Sequence, residues 1–332
     1  MLTNNRLIFL IPLIFLLSCD GGPSPTGSGT LLPNITGSAG EVLIVMDNAR
    51  WREKPGLILK EMLEQEFPAL PQPEPLFDVL QISPGAFDDI FKRHRSIIIV
   101  DVGSENTNSG IRFMENLWAR PQLVIRINAE NSETLAKLLS TSTEKILLNL
   151  QSYDRKRLID VFKSSKDVSI KNILNKFHID LAVPRGYRTD INTDEFVMLS
   201  IESPRTSQAI FVYRNSYSGN SDLAAKKLIE QRNEMLKKYT RGSQIGSYMT
   251  TSPMFPPIVY DLVKNGKQVV ELRGWWELNK GFMGGPFMSH TIVDESRNQT
   301  VTVEAYAYNP QDKKRNLMRH LEAIVYSAEV IE

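Results

Sequence analysis

Cysteine is almost absent from this sequence: Cys19 is the only one among 332 residues. A single cysteine cannot form an intramolecular disulfide, although exported proteins commonly pair their cysteines. This cysteine also directly follows an apolar run near the N-terminus. Its position and lack of a partner therefore favour a modified residue over a structural cross-link.

An excess of charge of either sign is absent as well. The chain has 39 basic and 38 acidic residues, and removing residues 1–18 takes away only Arg6, which leaves 38 of each. Nucleic acids and anionic membrane surfaces are held by an excess of Lys and Arg. The balance therefore predicts no nucleic-acid partner, and it indicates recognition by shape and local contacts.

The common motifs of catalysis and cofactor binding are missing too. The sequence contains no G-x-x-x-x-G-K-[ST], G-x-G-x-x-G, G-x-S-x-G or H-E-x-x-H motif. Residues 142–145 match S-x-x-K, but they lie within a predicted helix without the companion motifs of that class. The histidines are isolated from one another, at His94, His178, His290 and His320. We predict no cofactor and no metal site; catalysis stays open, with a non-enzymatic role favoured.

The N-terminus has the pattern of a secretory signal peptide. Arg6 lies in a short polar head, residues 7–17 are apolar, and Ser18 precedes Cys19. As a helix, the apolar run would cover roughly 16 Å, about half of a bilayer core, so a retained membrane span is not expected. With Leu16 three places before the cysteine, the segment resembles a bacterial lipoprotein signal.

That resemblance implies a location for the mature chain. Residues 1–18 would be removed, and acyl chains on Cys19 would anchor the protein to the outer membrane, so that the membrane itself is a predicted partner. No acidic run follows the cysteine, and we therefore expect the protein to face the periplasm. The alternative is a plain cleaved signal with an unmodified cysteine. Residues 19–40 include 15 Gly, Pro, Ser or Thr among 22 residues, which predicts a flexible tether.

Residues 41–182 have the pattern of an α/β domain. Residues 42–46 and 96–102 are apolar runs typical of strands that are buried on both faces. A helical pattern covers 51–66, and leucines recur at three- and four-residue spacing in a long helix that begins after Asn131. Strands that alternate with helices predict a mixed sheet.

Residues 183–332 have a different pattern, that of an antiparallel sheet packed by helices. An amphipathic helix is predicted over 222–239, and Asn309 with Pro310 is predicted to begin a closing helix. Alternating segments predict four strands between these helices, near 258–263, 268–276, 287–294 and 299–308. The fold class is therefore α+β with two domains, the second an α/β/α sandwich.

Two carboxylates follow the buried runs of the first domain. Asp47 and Asp101 end these strands, and ligands of open α/β sheets gather at the carboxyl ends of strands. The pair could hold a cation or act as acid and base, which gives a metal-dependent or acid/base hydrolase as one functional hypothesis. The alternative is that both residues satisfy backbone N–H groups as caps or turn residues.

An aromatic surface is predicted in the second domain. Alternation along 268–276 separates Trp276, which should lie in the core, from Trp275, which should be accessible. The following loop presents Phe282 and Met283 before a Gly-Gly-Pro segment. The same alternation places Tyr306 and Tyr308 on one face of the last strand. These five residues, Trp275, Phe282, Met283, Tyr306 and Tyr308, form the predicted binding site; cover of this face by the closing helix is the alternative.

Four segments together carry a resemblance to a known family. They are "GEVLIVMD" at 40–47, "LPQPEPLFDV" at 70–79, "HRSIIIV" at 94–100 and "MGGPFMSH" at 283–290. With the lipoprotein signal, they resemble a family of Bacteroidetes lipoproteins defined by a domain of unknown function. That family implies no catalytic residues. The order of elements from 183 onward also resembles the Mog1/PsbP-type arrangement, which implies a fold and not a function.

These patterns lead to one expected function. We expect a lipid-anchored cell-envelope protein that acts as a binding or assembly module through its aromatic surface. Its partner would be an envelope protein or a glycan. The hydrolase built on the two strand-end carboxylates is the competing hypothesis.

Overall fold

The computed structural model describes residues 31–331. The predicted signal peptide, the predicted lipidation site Cys19 and residues 19–30 of the predicted tether lie outside the described residues. Within the described part of the chain, no helix is both long enough and apolar enough to cross a membrane.

Fifteen strands, six α-helices and five short 3₁₀ helices make up the regular structure of the described residues. The strands are β1 (Glu41–Val45), β2 (Asp78–Ile82), β3 (Ser96–Val102), β4 (Gly110–Glu115), β5 (Leu123–Ala129), β6 (Ile179–Asp180), β7 (Arg188–Asn192), β8 (Phe196–Glu202), β9 (Ser207–Ser216), β10 (Met249–Thr251), β11 (Ile258–Lys264), β12 (Lys267–Leu278), β13 (Gly284–Asp294), β14 (Gln299–Tyr308) and β15 (Glu329–Val330). The helices are α1 (Asn48–Arg52), α2 (Lys54–Leu63), α3 (Ser132–Ser164), α4 (Val168–Leu174), α5 (Ala225–Tyr239) and α6 (Arg315–Tyr326).

The first sheet is mixed, as predicted. Its strand order is β2-β1-β3-β5-β4, and β4 is the strand that runs antiparallel to its neighbour. Helices α2 and α3 cover one face, where Ile44 and Ile98 are fully buried. Phe87 and Trp118 cover the other face, with their rings edge to face at 5.5 Å. This arrangement explains why the central strands are apolar on both faces.

The second sheet is antiparallel and lies between helices. Its order is β10-β12-β13-β14-β9-β8-β7. Strand β11 pairs with the same edge of β12 as β10 does, but along a different part of β12. Val301 and Val303 face α6, whereas Trp276 and Tyr306 face α5. The predicted α+β class and the α/β/α sandwich are therefore confirmed.

The two sheets share one hydrophobic core. Helix α6 packs against α3 on one side and against β13 and β14 on the other. The largest buried cluster accordingly runs from Val42 in β1 to Ala328 after α6. From Pro33 onward the described chain forms one compact unit. The predicted boundary between residues 182 and 183 thus separates two sheets that share a core.

Helix α6 begins later than predicted, and a distant residue caps it. The buried carboxylate of Glu74 accepts hydrogen bonds from the backbone N–H groups of Lys314 (2.6 Å) and Arg315 (3.1 Å). The first N–H groups of a helix have no hydrogen-bond partner within the helix, and Glu74 supplies one here. Asn309 and Pro310 were predicted to start this helix, which is wrong, because the cap comes from a residue far away in sequence.

The predicted tether ends earlier than residue 40. Residues 33–40 pack on the first sheet: the carbonyl oxygen of Pro33 accepts from the N–H of Arg120 at 2.8 Å, and that of Thr36 accepts from the N–H of Arg95 at 3.0 Å. The prediction of a flexible segment is therefore wrong over these eight positions. Glycine and threonine are common in linkers, but here their backbone groups are paired.

Candidate binding surface

Strand β12 presents its two adjacent tryptophans to opposite faces of the sheet. Trp276 is 2% exposed, and its Nε1–H donates to the carbonyl oxygen of Ala307 at 3.4 Å. Trp275 is half-buried, and its ring lies edge to face with Phe255 at 6.3 Å. Trp275 therefore remains available to a partner at the edge of the molecule, whereas Trp276 is committed to the core.

The hairpin after β12 presents apolar side chains to solvent. The N–H of Leu278 donates to the carbonyl oxygen of Met283 at 3.0 Å, which closes the loop. Phe282, at its tip, is fully exposed, and Met283 is 39% exposed. Both residues line an open pocket of about 470 Å³ together with Trp275 and Tyr308. We call this the first pocket; it brings together four of the five predicted site residues.

Neighbouring loops extend this apolar region. Met254 is 78% and Phe255 59% exposed, and with Trp275 they line a second pocket of about 380 Å³ that also includes Leu70 and Pro71. Ile245 is 99% exposed in a loop that is tied to the hairpin, since the Oγ–H of Ser247 donates to the carbonyl oxygen of Lys280 at 2.7 Å. We define the apolar surface as Ile245, Met254, Phe255, Trp275, Phe282 and Met283.

Tyr306 does not belong to this surface. It is 6% exposed and lies in the cluster beneath α5, with its ring 5.0 Å from that of Trp276. The prediction of an accessible Tyr306 is wrong, because α5 covers this face of β14. The predicted alternative named the closing helix as the cover, but α6 packs on the opposite face. Tyr308, nearer the end of the strand, is half-buried.

A buried ion pair fixes α5 to the sheet. Arg232 of α5 donates through Nε to Glu304 Oε2 at 2.8 Å and through Nη2 to Oε1 at 2.7 Å. Both side chains are fully buried. Burial raises the pKa of Glu304, and the charge of Arg232 opposes that rise. The cover over Tyr306 therefore depends on a charge pair as well as on apolar packing.

A cavity of about 300 Å³ lies between helices α3 and α6 and strands β11 and β12, and we call it the central cavity. A chain of ionic contacts forms part of its wall. Arg273 Nε donates to Glu271 Oε1 at 2.5 Å, and Arg273 Nη2 lies 3.3 Å from Glu322 Oε1. Glu322 also pairs with Arg155. These four charges balance one another, so this part of the wall is polar without a net charge.

His290 extends this chain into the core. Its Nε2 lies 2.8 Å from Glu271 Oε2. Burial alone would raise the pKa of Glu271, but the hydrogen bond from His290 and the charge of Arg273 lower it to about 2. The ionised carboxylate can only accept, so the proton of this hydrogen bond sits on His290 Nε2.

The two predicted strand-end carboxylates do not line any of these spaces. Asp47 caps α1: its Oδ1 accepts from the N–H groups of Ala49 (3.0 Å) and Arg50 (3.3 Å). Asp101 is exposed on β3. The first pocket, the second pocket and the central cavity include neither residue. Across residues 31–331, no group of three or more His, Cys, Asp or Glu side chains could hold a metal ion.

Two family models match the chain. Residues 36–163 match a family described as a domain of unknown function (DUF8532), and residues 166–327 match a second one (DUF4837). The matched segments meet at the C-terminal end of α3, before the predicted domain boundary. The predicted likeness to a family defined by a domain of unknown function fits these matches. No curated protein matches the chain.

Two solved structures are similar to parts of the chain. LpqN of Mycobacterium tuberculosis, described as involved in cell envelope biogenesis, is 16% identical, with 46% of this chain and 83% of LpqN covered and a TM-score of 0.28. PA94 of Pseudomonas aeruginosa, described as a protein of unknown function, is 13% identical, with 44% and 93% covered and a TM-score of 0.24. Likeness at this level says nothing about what the chain binds.

Sequence reasoning missed half of the apolar surface. Ile245, Met254 and Phe255 lie in loops, where no helical or strand period marks a residue as exposed or buried. The one available signal is the segment Met254-Phe255-Pro256-Pro257, which places two large apolar side chains beside residues that end regular structure.

Proposed function

We propose that this chain is a lipid-anchored cell-envelope protein that acts as a binding or assembly module. Its contact site would be the apolar surface, and its partner an envelope protein or a glycan. The exposure of this surface carries the proposal. Large apolar side chains that converge at the surface of a soluble domain mark interaction sites more often than chance, whereas single exposed apolar residues are ordinary.

The shape of the surface supports the same role. Phe282 and Ile245 project from loop tips, and Trp275 lies between the first and second pockets. Tips and pockets side by side give a partner both protruding and concave features to match. Aromatic anchors beside pockets are typical of the residues that contribute most binding free energy.

The predicted anchor would hold this surface near a bilayer. Each acyl CH₂ group that enters the membrane contributes about 0.8 kcal/mol, and two or more chains anchor a protein stably. Replacement of Cys19 by alanine in the full chain should move the protein from the membrane fraction to the soluble fraction. Two results together would contradict the anchor: the variant stays in the membrane fraction, and mass spectrometry of the unchanged protein finds no acylated N-terminal peptide.

The binding role is tested with a photo-crosslinking residue. A benzoylphenylalanine at position 282, introduced into the full chain in its native envelope, should give a discrete adduct on irradiation. Trp275→Ala in the same chain should reduce that adduct. The matched control places the crosslinker at Ile90, which is 74% exposed but lies outside the apolar surface. Equal adducts from both positions, or none from position 282, would remove the basis for this role.

A further inference from the structure

Strand β11 is an open edge of the second sheet. It pairs with β12 over its whole length, from Ile258 opposite Arg273 to Lys264 opposite Lys267. No other strand of residues 31–331 pairs with it, and its backbone makes no hydrogen bond there outside the β12 ladder. Every second N–H and C=O group along such a strand points away from its partner strand and is free to pair.

The opposite edge of the same sheet is protected, whereas β11 is not. On β7, the exposed residues Arg188 and Asp190 form an ion pair, and the register shifts between Thr189 and Ile191. Charges and irregular pairing are the usual means by which proteins prevent edge-to-edge association. The exposed side chains of β11 are mainly apolar or aromatic: Ile258, Val259, Tyr260 and Val263.

Two concave spaces lie along one face of this edge. Ile258 lines the second pocket together with Trp275, and Tyr260 and Leu262 line the central cavity. These β11 residues alternate, so they point to the same face. A strand added to β11 would project its own alternate side chains beside these residues, toward the two spaces. Backbone pairing with pockets for alternate side chains is the geometry of recognition by strand addition.

The other face of β11 carries an unbalanced charge. Asp261 is exposed between Val259 and Val263, and among the described residues it forms no ion pair and no side-chain hydrogen bond. An opposite charge directly across a strand pair is favourable, and a like charge is unfavourable. The edge therefore complements a strand with a basic residue opposite Asp261 and apolar side chains on its other face.

We infer that β11 binds an extended segment of a partner polypeptide, which adds to the second sheet as a further strand. The segment has apolar side chains toward the second pocket and central cavity and a Lys or Arg opposite Asp261. This inference rests on the proposed function, since Trp275 lines the second pocket and belongs to the apolar surface. It narrows the partner from an envelope protein or glycan to a polypeptide.

Synthetic peptides test this pairing directly. The first probe is an acetylated, amidated and fluorescein-labelled nonapeptide, Thr-Val-Thr-Val-Lys-Val-Thr-Val-Thr, which places Lys and Thr on one face and Val on the other. The second has Glu in place of Lys. The third is the Lys peptide with every backbone amide methylated, which keeps the side chains but removes the N–H donors from both edges, so it cannot pair as a strand. Each is titrated into the full chain and followed by fluorescence anisotropy.

The Lys peptide should bind about fivefold more tightly than the Glu peptide, and the methylated peptide should not bind. Hydrogen exchange should show protection of the backbone amides over 258–264 when the Lys peptide is bound. Asp261→Lys should reverse the preference between the two charged peptides. Asp194→Lys, a charge change at an exposed residue away from β11, should leave the preference unchanged.

Several results would overturn the inference. Equal binding of the methylated peptide would mean that the contact does not use the strand edge. Failure of both charged peptides to bind would do the same, as would a dimer of the full chain with β11 amides already protected, since a second copy would then occupy the edge. If the Lys peptide protects β11 while position 282 gives no adduct in the envelope, strand addition stands and the proposed apolar surface fails. If position 282 gives an adduct but the Lys peptide neither binds nor protects β11, the proposed apolar surface stands and strand addition fails.

Discussion

Replacing Arg232 by methionine should strongly destabilise the protein. Arg232 binds both carboxylate oxygens of Glu304, and its Nη1 donates to Thr251 Oγ1 at 2.8 Å. Its guanidinium also lies 3.7 Å from the ring centroid of Phe287. The substitution would leave the carboxylate of Glu304 buried without a counter-charge. Breaking a buried pair in this way costs about 3–5 kcal/mol.

The size of the protein sets the expected thermal shift. At about 2.1 cal/mol/K per residue, roughly 300 packed residues give an unfolding entropy of about 0.6 kcal/mol/K. A loss of about 3–5 kcal/mol therefore lowers the melting temperature by about 5–8 °C. Circular dichroism melts measure this shift, and urea titration should show a lower midpoint with an unchanged slope.

Two further variants separate charge from packing. Arg188→Met removes the same side chain from the exposed pair with Asp190, where the loss should be below about 1 kcal/mol. The double variant Arg232→Met with Glu304→Met removes both buried charges and should recover most of the lost stability. If Arg232→Met costs no more than Arg188→Met, the reasoning from the buried charge is wrong. If the double variant is as unstable as the single one, packing accounts for the loss.

Two other predictions concern buried carboxylates at the centre of the protein. Glu271 has its pKa lowered from 4.5 to about 2, so the stabilisation that it provides is complete above pH 4.5 and is lost as the pH falls toward 2. Over that range, urea titrations should show a smaller loss of unfolding free energy for Glu271→Gln than for the unchanged protein, and equal losses would contradict this assignment. Glu74→Ala should cost about 1–2 kcal/mol by removing the cap of α6. The exposed control Glu64→Ala should cost close to nothing, and a similar cost for both variants would argue against the cap.

Elements with a strong local pattern could be predicted from the sequence. The apolar run at 96–102 and the alternating segment at 299–308 coincide with β3 and β14 at both ends. Helix α3 begins after Asn131, whose side chain accepts from the N–H of Thr134 at 2.9 Å. In each case the residues that define the element are neighbours in sequence. The period of their side chains and the capping residue therefore suffice.

Features that depend on distant residues could not be predicted. Helix α6 starts at Arg315 because Glu74 supplies its cap, and these residues are far apart in sequence. The cover over Tyr306 depends on a pair between Arg232 and Glu304, whose charges in the sequence would normally indicate exposed positions. Local patterns record which face of an element is buried, but they do not record which element covers it.

The candidate site also contains both residues that a local pattern predicts and residues that it does not predict. Strand alternation separated Trp275 from Trp276 because both lie in one regular strand. The loop residues of the apolar surface have no such period. Strand β11 was predicted as a strand, but its position at the edge of the sheet depends on the pairing of the other seven strands. An open edge is therefore a property of the topology and not of the strand's own sequence.

The second pocket requires both halves of the chain. Leu70 and Pro71 come from the segment that matches one family model, and Trp275 comes from the segment that matches the other. Between them, Glu74 caps α6, and Arg315 of the same helix pairs with Asp78. These contacts hold residues 70 and 71 against the end of β12. A partner at this pocket would contact both segments at once, so its binding free energy would be linked to the docking of α6. Either segment alone would offer an incomplete site.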